Sequence, residues 1–273
     1  MTPLWLTPLE SARLVYKEAG IKRCLVAFSG GKDSIAVLAL AVEAYGEENV
    51  EAYMMCLVQD LACEMDAIRR ALRRFPKVKL HTVTHWTKSK MVREGILRHF
   101  ALPDVRLVKQ VDVENYMRAK TGIGFIAYGM KCIDGLLRNA MMKKTRNQTG
   151  DALGIDRKTK RLNPLAAWSH KQVISFLRAK KLPIPVPDGR GGTSNGMSMT
   201  CQWLSWCEEK HPNDFKKICV DFPLAPAQVL KWRQRQDVVP PKRRRKTVPL
   251  PEVRPSADGA ERSEERAVQP AGH

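Results

Sequence analysis

Residues Ile21-Lys22-Arg23-Cys24-Leu25-Val26-Ala27-Phe28-Ser29-Gly30-Gly31-Lys32-Asp33-Ser34 decide the fold. The first eight form a short, largely apolar run, the pattern of a buried strand. Asp33 or Ser34 can cap a helix that continues through Ala44 and stops at Gly46. Between strand and helix, two glycines let the backbone turn tightly and present N–H groups with no Cβ in the way. The free N–H groups and dipole of the following helix suit an anionic phosphate. Lys32 adds positive charge, and Ser29 and Ser34 add hydroxyl donors. An ordinary Gly-Gly turn capped by Asp33 would account for the glycines alone. The whole hexapeptide in this context predicts a phosphate-binding loop. It is neither G-x-x-x-x-G-K-[ST] nor G-x-G-x-x-G.

Outward from this loop, strand and helix signals alternate. Val50 to Leu57 and Val78 to Val83 read as strands, with a helix from Glu64 to Phe75 between them, ended by Pro76. Gly124 to Gly129 predicts a fourth strand, followed by a helix from about Asp134 to Lys144. Arg161 to Leu165 predicts a short fifth strand, and Ser169 caps a helix to about Lys180. This order predicts an α/β fold: a Rossmann-like parallel sheet with helices on both faces. No internal repeat of fixed period is visible. The boundaries read as an N-terminal helix over 1–20, one domain over 21–236 with a helical C-terminal region, and a Pro/Arg-rich tail over 237–273. The tail's composition predicts disorder.

The hexapeptide resembles the S-G-G-K-D-S signature of the PP-loop family, the adenine nucleotide α-hydrolases of HUP-type fold. Two later segments are similar to phosphoadenosine phosphosulfate (PAPS) reductases within it. The first is Tyr128 to Arg138, set against a family pattern of roughly Gly-x-Arg-x-x-Glu-Ser-x-x-Arg. Gly129 and Arg138 match. Lys131 replaces Arg, Asp134 replaces Glu, and Gly135 replaces Ser. The second runs from Asn163 to Leu177 through a Pro-Leu and a Trp-Ser, and the loop with Leu182 to Pro185 and Gly189 to Gly192 echoes the family's next loop. Trp168 and Val173 are expected in the core. The resemblance spans about residues 20 to 212.

The resemblance implies ATP or PAPS across the carboxyl ends of the strands. It implies α-phosphate or sulfur-transfer chemistry by a transferase or oxidoreductase of sulfur metabolism. Nucleotide binding is expected at Ser29, Gly30, Gly31, Lys32, Asp33, Ser34 and Gly129, with catalytic roles for Lys32, Asp33, Lys131 and Arg138. With ATP, Mg²⁺ would bridge the phosphates near Asp33; with PAPS, Lys131 and Arg138 would hold the sulfate or 3′-phosphate. Compact variants are frequent in bacteria and phages. Two features depart from the pattern. The family's Cys-bearing Glu-Cys-Gly-x-His-like C-terminal segment has no counterpart, and Leu57 or Val58 stands where the second strand should end in Asp.

Seven cysteines are scattered with no C-x-x-C pair and nothing marking secretion, so reduced thiols in a cytoplasmic protein are expected. Relatives carry a 4Fe–4S cluster in this region, which would draw on Cys132, Cys201, Cys207 and Cys219; buried core thiols are the alternative. Cys24 and Cys56 read as core. The histidines show no zinc pattern. His81, His85 and His170 read as surface or capping residues.

The net charge is +19, from 47 Lys and Arg against 28 Asp and Glu. Residues 242–273 contribute only +3, so the body carries +16. Basic residues group at Arg69 to Lys79, at Lys143 to Arg146 and at Arg157 to Arg161. Trp203, Trp206 and Trp232 could stack on bases. The alternatives are solvated faces or contact with DNA or tRNA. A nucleotide-dependent DNA-binding or regulatory protein without reductase activity is the rival reading. The longest apolar run, Ile35 to Val42, is far short of the roughly 20 residues that cross a bilayer. Oligomeric state is not legible.

Overall fold

A computed structural model describes residues 6–185 and 199–238. Thr7 caps helix α1 (Pro8–Ala19) in a reciprocal capping box with Glu10. Strand β1 (Cys24–Ala27) leads into α2 (Lys32–Tyr45). Then come β2 (Val50–Cys56), α3 (Ala62–Leu72), β3 (Lys79–Thr84), α4 (Thr87–Arg93) and α5 (Gln110–Thr121). Strand β4 (Ile126–Ala127), α6 (Leu136–Thr149), β5 (Ile155–Asp156), β6 (Arg161–Leu162) and α7 (His170–Ala179) complete the sheet region. Helices α8 (Cys201–Lys210), α9 (Pro212–Asp221) and α10 (Ala225–Val238) come last.

The sheet order is β3-β2-β1-β4-β6-β5, parallel throughout except for β5 against β6. The Rossmann-like class therefore stands, with an antiparallel edge that the sequence did not announce. Two expected strands are shorter than read. The fourth keeps only Ile126–Ala127 and the fifth only Arg161–Leu162, because Pro164 brings no N–H to extend the ladder. Helices α4 and α5 lie in a stretch with no clear sequence reading.

Alternation along the strands divides the core. Cys24, Val26, Ala52 and Met54 face α1, α2 and α7. Leu25, Tyr53 and Ile126 face α5 through Val113 and Met117. Helix α2 is apolar on every side, and residues Ser34 to Ala41 are all buried, the mark of a helix packed from several directions. Trp168 and Val173 are core residues, as expected, and the Trp168 indole N–H donates to the Pro8 carbonyl (2.7 Å).

Helices α8 to α10 form a second apolar cluster with Leu57, Val58 and Leu61. That cluster sits over the carboxyl end of β2. Asp214 of α9 is buried and accepts from the Ala62 and Cys63 amides (3.0 and 2.8 Å), capping α3 from outside. Lys88 of α4 pairs with Asp221 (2.7 Å). No helix among the described residues is long and apolar enough to cross a membrane. The tail beyond Val238 and the 189–192 segment lie outside the described residues.

Candidate nucleotide site

The strand order reverses direction between β1 and β4, which makes the crevice at their carboxyl ends the binding position such sheets offer. Both sequence motifs converge there. After β1, Gly30 turns the chain at φ 71°, a conformation that favours glycine. A Cβ there would also meet Ile68 of α3 at 3.0 Å. Ser34 ties the loop together: its hydroxyl donates to the Gly31 carbonyl (2.9 Å) and accepts from the Ser29 amide (3.3 Å). Gly31 occupies the cap position of α2 without a side-chain cap bond. The first-turn amides of α2 therefore stay open toward the crevice, a geometry that suits an anion.

After β4, the chain passes within contact of this loop. A Cβ on Gly129 would stand 2.9 Å from the Asp33 Cβ, so the close approach requires glycine. Lys131 crosses the gap. Its side chain is 1% exposed, and its ammonium lies 2.9 Å from Asp33 Oδ1 and 3.3 Å from Asp134 Oδ1. The Asp33 contact is electrostatic, since its angles do not make a hydrogen bond. Lys32 reaches Asp33 Oδ2 at 2.7 Å, so Asp33 sits between two lysines. Burial works to raise the Asp134 carboxyl, but the Lys131 amide and ammonium, with Arg138, outweigh it and hold it below its ordinary range. Arg138 is 52% exposed and only loosely paired with Asp134 (3.5 Å). His170 approaches the same carboxylate at 3.9 Å.

Of the residues expected to bind or catalyse, Lys32, Asp33, Lys131 and Arg138 join through Asp134 in one chain of ion pairs, and Ser29 to Ser34 and Gly129 shape the backbone around it. The sequence points Lys131 at an anionic ligand, whereas the structure buries its charge between two carboxylates. An unpaired charge at that depth would be far more costly.

The expected cysteine quartet does not assemble among the described residues. Cys132 bonds toward Met142 Sδ (3.7 Å) beside α6, and Cys201 toward Gln228 (3.7 Å) on α10. Cys201 and Cys207 are six residues apart on one helix, about 9 Å of rise and well around its circumference. Cys207 is fully buried and contacts Cys63 instead. The hydrogen bond to Cys207, then burial, pushes the Cys63 thiol well above its ordinary range. Among the described residues no group of three or more His, Cys, Asp or Glu could hold a metal, so the thiols present do not fit a 4Fe–4S cluster.

Other expectations are redirected. Trp203 is core in the second cluster rather than a stacking platform, and Trp206 packs on the His211 ring (4.6 Å). Arg161 is held by Glu114 (2.6 Å) and Arg157 by Asp151 (2.9 Å), which removes two cations from the third basic group.

The sequence reading passed over Glu64 and the full setting of His85. Glu64 lies one turn before Ile68 on α3, hence on the face that meets Gly30. Burial, with Asp214 nearby, raises its carboxyl to about 7. The signal available was the i, i+4 spacing to an apolar contact residue, but its charged neighbour Asp214 comes from α9, far along the chain. His85 comes after β3, is buried, and stacks on Trp86. Its Nδ1 accepts from the Thr87 amide (3.2 Å), which leaves the ring proton on Nε2.

Sheet order, switch-point crevice and glycine loop together define an α/β protein of the PP-loop kind. The phosphoadenosine phosphosulfate reductase domain matches residues 23–186, and the chain belongs to that family. No curated protein matches the chain. Among solved structures, the chain is similar to the U34-tRNA thiolase NcsA from Methanococcus maripaludis with its [4Fe-4S] cluster. That likeness has 17% identity and a TM-score of 0.42, covering 81% of this chain and 78% of the thiolase.

Proposed function

We propose that the crevice binds an adenine nucleotide, ATP or PAPS, and directs chemistry at its α-phosphate or transfers its sulfur. One observation carries this reading: the open amino end of α2 and the Gly129–Arg138 segment meet in the switch-point crevice through Asp33 and Lys131. In the ATP form, the loop amides and Lys32 stabilise charge gathering on the departing pyrophosphate while an acceptor oxygen takes the adenylyl group. Lys131 holds Asp33 in place from beneath. Asp33 supplies one carboxylate, which fits Mg²⁺ when the nucleotide's own phosphates provide further oxygens; bound there, the ion would neutralise phosphate charge.

The PAPS form is supported by Arg138, exposed at the mouth and free to turn toward a sulfate or 3′-phosphate. The body charge of +16 supports a polynucleotide, DNA or tRNA, as acceptor or partner. A nucleotide-dependent binding protein without turnover is the rival. Incubation with labelled ATP or PAPS, with and without nucleic acid, separates the readings. Pyrophosphate release supports adenylation and sulfite release supports reduction. Tight binding with neither product would leave the rival in place.

A further inference from the structure

Helix α6 begins at the mouth of the crevice and has no buried residue along its 14 positions. Its first turn exposes Leu136 (89%) and Leu137 (74%), with Met141 beyond them. Its charged residues are Arg138, Lys143, Lys144 and Arg146, with no Asp or Glu. Lys143, Lys144 and Arg146 form no ion pair among the described residues, and the two lysines are exposed. Arg138, Asp134, Lys131 and Asp33 link this helix by successive ion pairs to the phosphate loop. An apolar tip, three cations with no ion pair among the described residues and the site mouth therefore lie along about 20 Å of one helix.

We propose that α6 is the docking face for an RNA loop that presents its nucleotide to the crevice. This rests on the adenine-nucleotide reading above and adds the acceptor's class and seat. The charge pattern selects a polyanion, because a second copy would set one all-basic helix against another. The exposed leucines select unstacked bases, whose apolar faces they can cover. RNA offers such bases in its single-stranded loops, whereas a DNA duplex keeps them stacked. Lys143 and Lys144 stand two turns, about 10 Å, beyond the leucines, where the loop's backbone would continue.

The test uses the full chain and a fluorescein-labelled RNA stem–loop, read by anisotropy across potassium chloride concentrations. A DNA hairpin of the same sequence and its duplex are parallel arms. Three phosphate contacts on a single strand predict a log–log salt slope of about −2. K143Q/K144Q should lower affinity about tenfold or more at low salt and reduce the slope by about 1.4. L136S/L137S should weaken RNA binding with the slope unchanged. Both variants should keep wild-type melting temperature and ATP affinity. Unchanged RNA binding in both variants would overturn the dock, as would tighter binding to either DNA arm. A wild-type dimer that L136S/L137S splits would assign the face to self-association instead. Failure of the wild type to bind ATP would defeat the nucleotide reading itself, independently of the RNA result.

Discussion

Lys131 is the residue on which the site turns. A buried ammonium is tolerated only because Asp33 and Asp134 both face it. Lys131→Met should therefore cost about 1–3 kcal/mol of stability, read by denaturant unfolding, by removing the cation two carboxylates share while Lys32 and Arg138 stay beside them. Arg138→Ala, at an exposed and loosely paired position, should stay within about 0.5 kcal/mol of wild type and alter only ligand affinity. Equal destabilisation by the two would contradict these roles. Glu64 supplies a pH signature. Its carboxyl is raised to about 7 in the fold, so the native state holds a proton that the unfolded chain releases near 4.5. The stability it contributes is complete below about pH 4.5, declines as pH rises through 7, and is absent above. Glu64→Gln should flatten that decline and make the protein more stable than wild type at pH 8.5, by about 1–3 kcal/mol. Denaturation midpoints at pH 5, 7 and 8.5 check the sign.

Elements whose logic is local were legible in the sequence. Ser169 caps α7 and completes a capping box with Gln172, as its place before a helical pattern implies. Ser169→Ala should cost about 1 kcal/mol, read as a lowered melting temperature with nucleotide affinity intact. The Ser29–Ser34 loop was legible for the same reason, since glycines, serines and lysine announce their geometry within six residues. Strand ends were less legible. Residues such as Phe125 and Leu165 are apolar enough to read as strand, yet only pairing decides where a ladder stops. The partners of Lys131, the seat of Glu64 and the separation of the cysteines depend on contacts between segments far apart in the chain. Spacing alone could not supply them; the family resemblance offered a cluster on Cys132, Cys201, Cys207 and Cys219 beside buried thiols, and among the described residues these cysteines do not come together.

At the scale of the molecule, the C-terminal helices are built into the site's surroundings. Asp214 caps α3 from α9, and α3 in turn supplies Ile68 against Gly30. Asp214→Ala should destabilise by about 2–4 kcal/mol and loosen both α3 and the helical cluster, read by faster amide exchange in both. Charge is also divided by the fold. Arg157 and Arg161 are tied to carboxylates, while Lys143, Lys144 and Arg146 of α6 form no ion pair among the described residues. The basic character legible in composition therefore becomes directional only in three dimensions. The central claim is that the loop after β1 holds an adenine nucleotide. Calorimetric titration of wild type and Lys32→Ala with ATP and with PAPS, in the presence of Mg²⁺, tests it most directly. Saturable one-to-one binding of at least one nucleotide by wild type, weakened at least tenfold by Lys32→Ala, is the predicted result. No binding of either nucleotide, or equal affinity in both proteins, would contradict it.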